Sequence, residues 1–312
     1  VQLVQWSGDT SPYEDAIRIA REHGLLNING GDSRFDDEYP SYASVAPLGL
    51  RVGKEWQIYS SNSNENTYTN LWTDRFFGFR YLQTTVKNTE SPWRVAPFNV
   101  YFHTYSGERE ASLNALRENL DFARAYADDI IPIFTSQYAA MANSFFTTEI
   151  VPLTENSWRI DNRKQLQTIR FDRGTLQAVD FAHSRGVIGQ RHYQGSLYVA
   201  LHPKVEKPVI TLTNHQNPGY YPDSTEPYLI HSRWQIIDLQ KSKNSLIISA
   251  RGFGPGKMLW KMPKSGVYEI TLRNGGAVLL ERAQKTTANG LLVLSLDTDA
   301  VSAVEITIKA RD

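Results

Sequence analysis

The feature that most limits how this chain can fold is a change of hydrophobic pattern near Pro152. Upstream, short apolar runs alternate with stretches whose apolar residues recur at helical spacing. Downstream, brief alternating segments follow one another between Gly, Pro and Asn turns. Strand side chains repeat every two residues and helix side chains about every 3.6, so one segment cannot serve as both. The pattern predicts an α/β domain over residues 1–155, followed by a β-sandwich or jelly roll over 156–312.

In the first part, apolar runs predict strands at 1–6, 25–29, 56–60, 98–103 and 130–134. Ser11 is a fair N-cap and Pro12 suits a first turn, so a helix is expected through Ala16, Ile17, Ile19 and Ala20 to Gly24. Further helices are expected at 70–86, 111–127 and 136–146. The third of these four carries Leu113, Leu116, Leu120, Phe122 and Ala123 along one side. Residues 36–52 are aperiodic and read as a loop. Four or five strand–helix units are too few for a closed eight-unit barrel of roughly 250 residues. The expectation is an open sheet or the later part of a (β/α) barrel. The second part shows short strand-like segments at 158–160, 168–171, 197–201, 209–212, 234–239, 245–250, 258–262, 268–273, 277–280, 291–294 and 303–309.

Composition narrows the function classes. Lys plus Arg number 33 and Asp plus Glu 33, so no net charge draws the chain to nucleic acid or an anionic membrane. No apolar run is long enough for a transmembrane helix. With no cysteine, disulfides and thiolate chemistry are excluded. The 16 Tyr and 7 Trp supply rings with an apolar face and a polar tip, which suit both carbohydrate sites and β-sandwich cores. The chain opens at Val1 inside an apolar run, which reads as a piece of a longer protein.

Polar loops follow the predicted strand ends at 7–11, 30–34, 61–66 and 104–108. In parallel α/β folds that edge carries the site. His103 ends the run Phe98-Asn99-Val100-Tyr101-Phe102-His103, where an imidazole can serve as general acid or base. A hydrogen-bonded structural histidine fits the position equally well. Asp9 and Asp32 sit just past strand ends, as proton acceptors, orienting groups or turn caps. Glu65 and Glu108 fit the same edge, and such carboxylates could pair in a glycosidase. No two of the seven histidines lie three or four apart, so the spacing encodes no complete metal site. His183 and His192 read as surface residues. The loop 214–222, Asn-His-Gln-Asn-Pro-Gly-Tyr-Tyr-Pro, is a polar and aromatic stretch that could stack sugar rings or simply bury its tyrosines.

Four motifs occur in order: Gln5-Trp6-Ser7-Gly8-Asp9, Asn27-Ile28-Asn29-Gly30-Gly31-Asp32, Asn64-Glu65-Asn66-Thr67-Tyr68-Thr69-Asn70-Leu71-Trp72, and Tyr101-Phe102-His103-Thr104-Tyr105-Ser106-Gly107-Glu108. Together they resemble the C-terminal portion of PelA-type bacterial exopolysaccharide deacetylases. The resemblance implies a metal-dependent de-N-acetylase of an N-acetylhexosamine polymer, built on a (β/α) barrel. It makes His103 the general acid, with Asp9 and Asp32 orienting the site. It offers Trp6, Tyr59, Asn66, Tyr105 and Glu108 as substrate contacts. A divalent, zinc-like metal is implied, with its ligands expected upstream of Val1 because nothing here matches them. The implied setting is the periplasm or the cell exterior. The implied partners are an amino-sugar polysaccharide and exopolysaccharide-export proteins. Two other readings fit the same residues: a non-catalytic carbohydrate-binding or assembly module, and a two-carboxylate glycosidase.

Overall fold

A computed structural model of the chain describes residues 2–7, 10–30, 33–60, 64–71, 73–89, 97–126, 130–241 and 245–311. The chain is mostly β-strand, arranged in several sheets with few helices. Its contacts divide it into two units, Val1–Ala127 with Phe134–Phe146, and Asp128–Ile133 with Thr147–Asp312. No helix among the described residues is long and apolar enough to cross a membrane.

The first unit begins with β1 (Leu3–Gln5), α1 (Glu14–Glu22) and β2 (Leu26–Ile28). β1 and β2 pair in parallel, Leu3 opposite Leu26, which makes this the βαβ unit that the sequence predicts. α1 starts two residues later than expected, with Tyr13 rather than Ser11 at its N-cap. It buries Ile17 and Ala20 and stops before Gly24, as expected. Next come β3 (Gly49–Val52), β4 (Glu55–Ile58), α2 (Glu65–Tyr68), α3 (Leu82–Thr89), α4 (Glu110–Ala125) and α5 (Thr135–Thr147). Beyond β4, Tyr59 bridges Asn29 in parallel, so the end of β4 joins the β1–β2 pair.

Several expectations are corrected here. The supposed loop 36–52 contains β3, which forms an antiparallel hairpin with β4 through Gly53 and Lys54. Residues 98–103 and 130–134 form no strand. Phe98 and Val100 pack instead against Tyr68, Phe79 and Leu82, and the amide of His103 binds a side chain rather than a neighbouring strand. Ile131 and Phe134 are exposed. No closed (β/α) barrel is formed by the described residues. The helix expected at 70–86 is replaced by a 3-10 turn at Gly78–Tyr81 followed by α3, with α2 lying before it. Along α4 the buried stripe is Ser112, Ala115, Leu116 and Asn119, while Leu120 faces solvent. That rotation brings the Asn119 amide to the Phe79 carbonyl at 2.9 Å.

The second unit is all β. Its strands are β5 (Glu149–Thr154), β6 (Ser157–Asp161), β7 (Thr168–Phe171), β8 (Gln177–Val179), β9 (Val187–Tyr193), β10 (Ser196–Leu201), β11 (Val209–Asn214), β12 (Tyr228–Ser232), β13 (Gln235–Lys241), β14 (Ser245–Gly252), β15 (Gly256–Lys261), β16 (Val267–Asn274), β17 (Ala277–Lys285), β18 (Leu291–Leu296) and β19 (Ala300–Ala310). They make three sheets, ordered β18-β15-β12-β9-β10-β7, β5-β6-β11-β8 and β13-β14-β19-β16-β17.

Alternation explains how these sheets stack. Met258, Trp260, Leu292 and Leu294 of the first sheet meet Ile248, Ile270, Ile306 and Ile308 of the third in one core. Leu197, Val199 and Leu201 of β10 meet Ile160, Val179, Ile210 and Leu212 of the second sheet in another. Ala200, between them on β10, packs against the first core. The six-stranded sheet is thus the middle layer, with a core on each face at β10. Each fully buried Leu or Ile in these cores contributes about 1.5–3 kcal/mol.

Candidate functional site

Three chain segments of the first unit meet at the ends of β2 and β4. The amide of Ser60 donates to the Asn29 carbonyl at 2.9 Å, and the Ser60 hydroxyl donates to the Gly30 carbonyl at 3.1 Å. The carbonyl of Thr10, in the loop after β1, accepts from Asn29 Nδ2 at 2.5 Å and from Gln57 Nε2 at 3.0 Å. Tyr101 lies over Gly30 so closely that a Cβ there would stand 2.9 Å from its ring. The strand-end loops that the sequence singles out therefore do converge, although 98–103 is not itself a strand.

At this junction Glu65 and His103 are joined. Asn64 caps α2, its side chain accepting from the Asn66 amide, and this turns Glu65 inward. The Glu65 side chain is fully buried. One of its oxygens, Oε1, accepts from the His103 amide at 2.8 Å, from His103 Nδ1 at 2.9 Å and from the Ser106 hydroxyl at 2.9 Å. Its other oxygen, Oε2, is buried and makes no hydrogen bond. A carboxylate on Nδ1 fixes the imidazole's orientation and leaves Nε2 as the nitrogen that can exchange a proton with a ligand. The His103 side chain is one-third exposed, so Nε2 is within reach of one.

Aromatic side chains frame the imidazole. Tyr105 stacks on it at 4.7 Å between ring centroids and 6° between planes, and Tyr101 lies 5.5 Å away. Asn66 Nδ2 donates to the Tyr105 hydroxyl at 3.3 Å, while Asn66 Oδ1 is buried without a hydrogen bond. Two adjacent residues, Glu65 and Asn66, thus hold unpaired acceptors at this junction, chemistry that suits a ligand bearing N–H or O–H donors.

A buried ion pair holds α2 in place. Arg34 binds Asp36 at 2.7 Å and Glu38 at 2.8 Å, and its Nη1 donates to the Thr67 carbonyl at 3.0 Å. Its guanidinium also lies over the rings of Tyr39 and Tyr68. The Tyr68 hydroxyl reaches the Ser33 carbonyl and the Thr85 hydroxyl.

The other residues that the sequence offers fall out differently. Asp9 and Asp32 lie outside the described residues. Trp6 is half-buried, and its indole donates to Asn27 Oδ1 at 3.3 Å. Tyr59 is buried, its hydroxyl is 3.4 Å from Gln57 Oε1, and burial pushes its phenol pKa up. Glu108 is exposed and joins none of these hydrogen bonds. His183 is on the surface, as expected, paired with Asp180. His192 is half-buried, its Nε2 bonded to the Gln177 carbonyl. The sequence offers Glu65 as a carboxylate at this edge but does not pair it with His103. Asn64, a strong cap directly before Glu65, was the signal that could have found it.

The described residues do not fit a divalent metal. No group of three or more potential ligands gathers among them. At His103, Nδ1 is already committed to Glu65, which leaves one nitrogen and one buried oxygen.

Comparison with known proteins adds little. No family model matches the chain, and no curated protein matches it. Among solved structures, the GH39 enzyme from Xanthomonas axonopodis pv. citri aligns at 10% identity and a TM-score of 0.17. The alignment covers 95% of this chain and 57% of that one. A likeness that low carries no argument about fold or chemistry.

Proposed function

We propose that the first unit carries the acid half of a polysaccharide de-N-acetylase acting on an N-acetylhexosamine polymer. The observation that supports this reading is the buried Glu65 carboxylate on Nδ1 of a solvent-accessible His103. In the reaction, water adds to the acetamide carbonyl as its proton passes to solvent, and the tetrahedral intermediate collapses by breaking the C–N bond. His103, protonated, donates from Nε2 to the departing amine, and Glu65 holds the Nδ1 proton and stabilises the imidazolium. Acetate and a free amino sugar result.

Asn66 and Tyr105 bind the sugar in this reading, the first through its free carbonyl oxygen and the second through its ring. Trp6 and Glu108 border the substrate, and Asp9 and Asp32 orient the site. The unit then corresponds to the later part of a deacetylase barrel. A divalent metal would activate the water in such an enzyme, although the described residues do not fit one. The same reading places the protein in the bacterial periplasm or outside the cell, beside exopolysaccharide-export proteins.

A second reading is favoured by the exposed face of Tyr105 against His103, a platform on which a sugar ring can rest without reacting. One experiment separates the two. The chain is incubated with an N-acetylhexosamine oligosaccharide, with and without zinc, and acetate and free amine are measured. Release that disappears in His103→Ala, with the circular dichroism spectrum unchanged, supports the de-N-acetylase. No release under either condition overturns hydrolysis by this chain alone, and saturable binding without turnover then favours the module.

A further inference from the structure

The second unit contains a cavity of about 850 Å³ between β8, β9 and the segment that joins β11 to β12. Small-ligand sites commonly enclose about 300–1,000 Å³, so this one has room for a short oligosaccharide. Its lining is mixed. Phe181 and Tyr228 stack at 4.5 Å, and His215 and Tyr220 stack at 4.0 Å. Lys241 and Glu226 pair at its edge at 2.7 Å.

The wall is held in shape before any ligand arrives. The His215 amide donates to the Leu176 carbonyl at 2.7 Å, and the Gly219 amide to the Thr175 carbonyl at 3.0 Å. Gly219 has φ +69°, a turn that a side chain would strain. The buried Gln190 donates from Nε2 to the Tyr220 carbonyl at 3.0 Å, and the Tyr228 hydroxyl donates to the Pro222 carbonyl at 3.0 Å. A loop pinned this way loses little freedom when it binds. Within it, His215 Nε2 is buried and has no hydrogen-bond partner, although its ring is stacked on Tyr220. A buried polar atom without a partner is costly, and a ligand hydroxyl would satisfy it.

The ligand class follows from charge and shape. Carboxylates of Asp180, Asp223 and Glu226 line the cavity against the cations Arg185 and Lys241, a balance that disfavours an anion. Flat aromatic faces beside isolated hydrogen-bonding groups suit pyranose rings, which present C–H faces and hydroxyl edges. We propose that this cavity binds a short uncharged or amine-bearing oligosaccharide, as a glycan site of the β unit in its own right. It requires no chemistry at His103 and stands or falls separately from the hydrolysis.

The test is calorimetry on the full chain carrying His103→Ala, so that turnover cannot intervene. An N-acetylglucosamine oligomer, its de-N-acetylated form and a uronic-acid oligomer are titrated in turn. The first two bind saturably and the third does not. Tyr220→Leu, which keeps bulk but removes the flat ring, weakens binding about ten-fold or more, while Tyr220→Phe stays within about three-fold. Thr225→Trp, an exposed substitution at the lining, blocks entry without touching the core, with the melting temperature as the check on folding. Absence of saturable binding by both amino-sugar oligomers overturns the site. Unchanged binding in both Tyr220→Leu and Thr225→Trp also overturns it. Equal binding of the uronic-acid oligomer overturns the charge selectivity on which the ligand class rests.

Discussion

A single oxygen of Glu65 receives both the backbone amide and the ring Nδ1 of His103, at 2.8 and 2.9 Å. The Ser106 hydroxyl is a third donor to the same atom. One buried carboxylate therefore sets the chain path through 103–106 and the direction of the imidazole together. Glu65→Ala strips all three donors of their acceptor and is expected to cost about 1–3 kcal/mol of stability. Urea unfolding measures it. If the de-N-acetylase reading holds, Glu65→Gln lowers the rate of amine release about a hundred-fold with little change in KM. The nitrogen-15 shifts of His103 report the lost tautomer preference independently of turnover.

Arg21 and Glu55 give the first unit an acid-sensitive tie. Hydrogen bonds from Arg21 hold the Glu55 carboxyl below the usual carboxylate range, against the opposite pull of burial. In the unfolded chain that carboxyl titrates near about pH 4.3. A folded value below the unfolded one stabilises above the unfolded value and ceases to do so as pH falls through the folded value. The melting-temperature difference between the native protein and Arg21→Gln is therefore steady from about pH 7 to 5, and it shrinks toward zero below about pH 4. A difference that grows on acidification contradicts the pairing.

Arg163 is a buried cation held by carbonyls. Its guanidinium donates to the carbonyls of Leu166 at 2.7 Å, His202 at 2.6 Å, Pro203 at 3.2 Å and Val205. Burial pulls its pKa down. A planar fork reaches several acceptors at once, whereas an ammonium is a point donor. Arg163→Lys is expected to destabilise the second unit by about 2–4 kcal/mol. Chemical denaturation followed by far-ultraviolet circular dichroism provides the measurement.

Trp234 is seated on a glycine floor. A Cβ at Gly256 would lie 2.6 Å from its indole, which is fully buried and donates to the Gly254 carbonyl at 3.0 Å. Gly256→Ala is expected to cost about 1–3 kcal/mol by displacing that ring. Gly266→Ala, where a Cβ meets open space, stays within about 0.5 kcal/mol. Equal effects of the two substitutions would show that the close approach is not what matters.

The parts of the fold legible in advance were those set by local periodicity. The β1–α1–β2 unit and most strands from β6 to β19 follow apolar patterns that neighbouring residues enforce. The strands passed over, among them β5, β8, β9 and β12, have patterns interrupted by Pro152, Gly189 and polar residues such as Gln190 and His231. These strands are completed by their neighbours in the sheets rather than by their own sequence. The same holds in reverse at 98–103, where a run with strand periodicity forms no strand and instead packs Phe98 and Val100 on the cluster around Leu82 and Leu116, leaving Phe102 exposed.

At the candidate site, the sequence marked His103 and Glu65 as polar residues where apolar runs give way to loops, because local pattern shows where such a run ends. It also determined the change from mixed to all-β pattern near Pro152, since side-chain periods of two and about 3.6 cannot be interchanged. Only the tertiary structure decided that Glu65 is the partner of His103 and that Tyr59 is buried. Only it decided that the six-stranded sheet carries a core on both faces. Hydrogen bonds and packing between residues some forty positions apart depend on how the chain returns upon itself, and no local pattern encodes that.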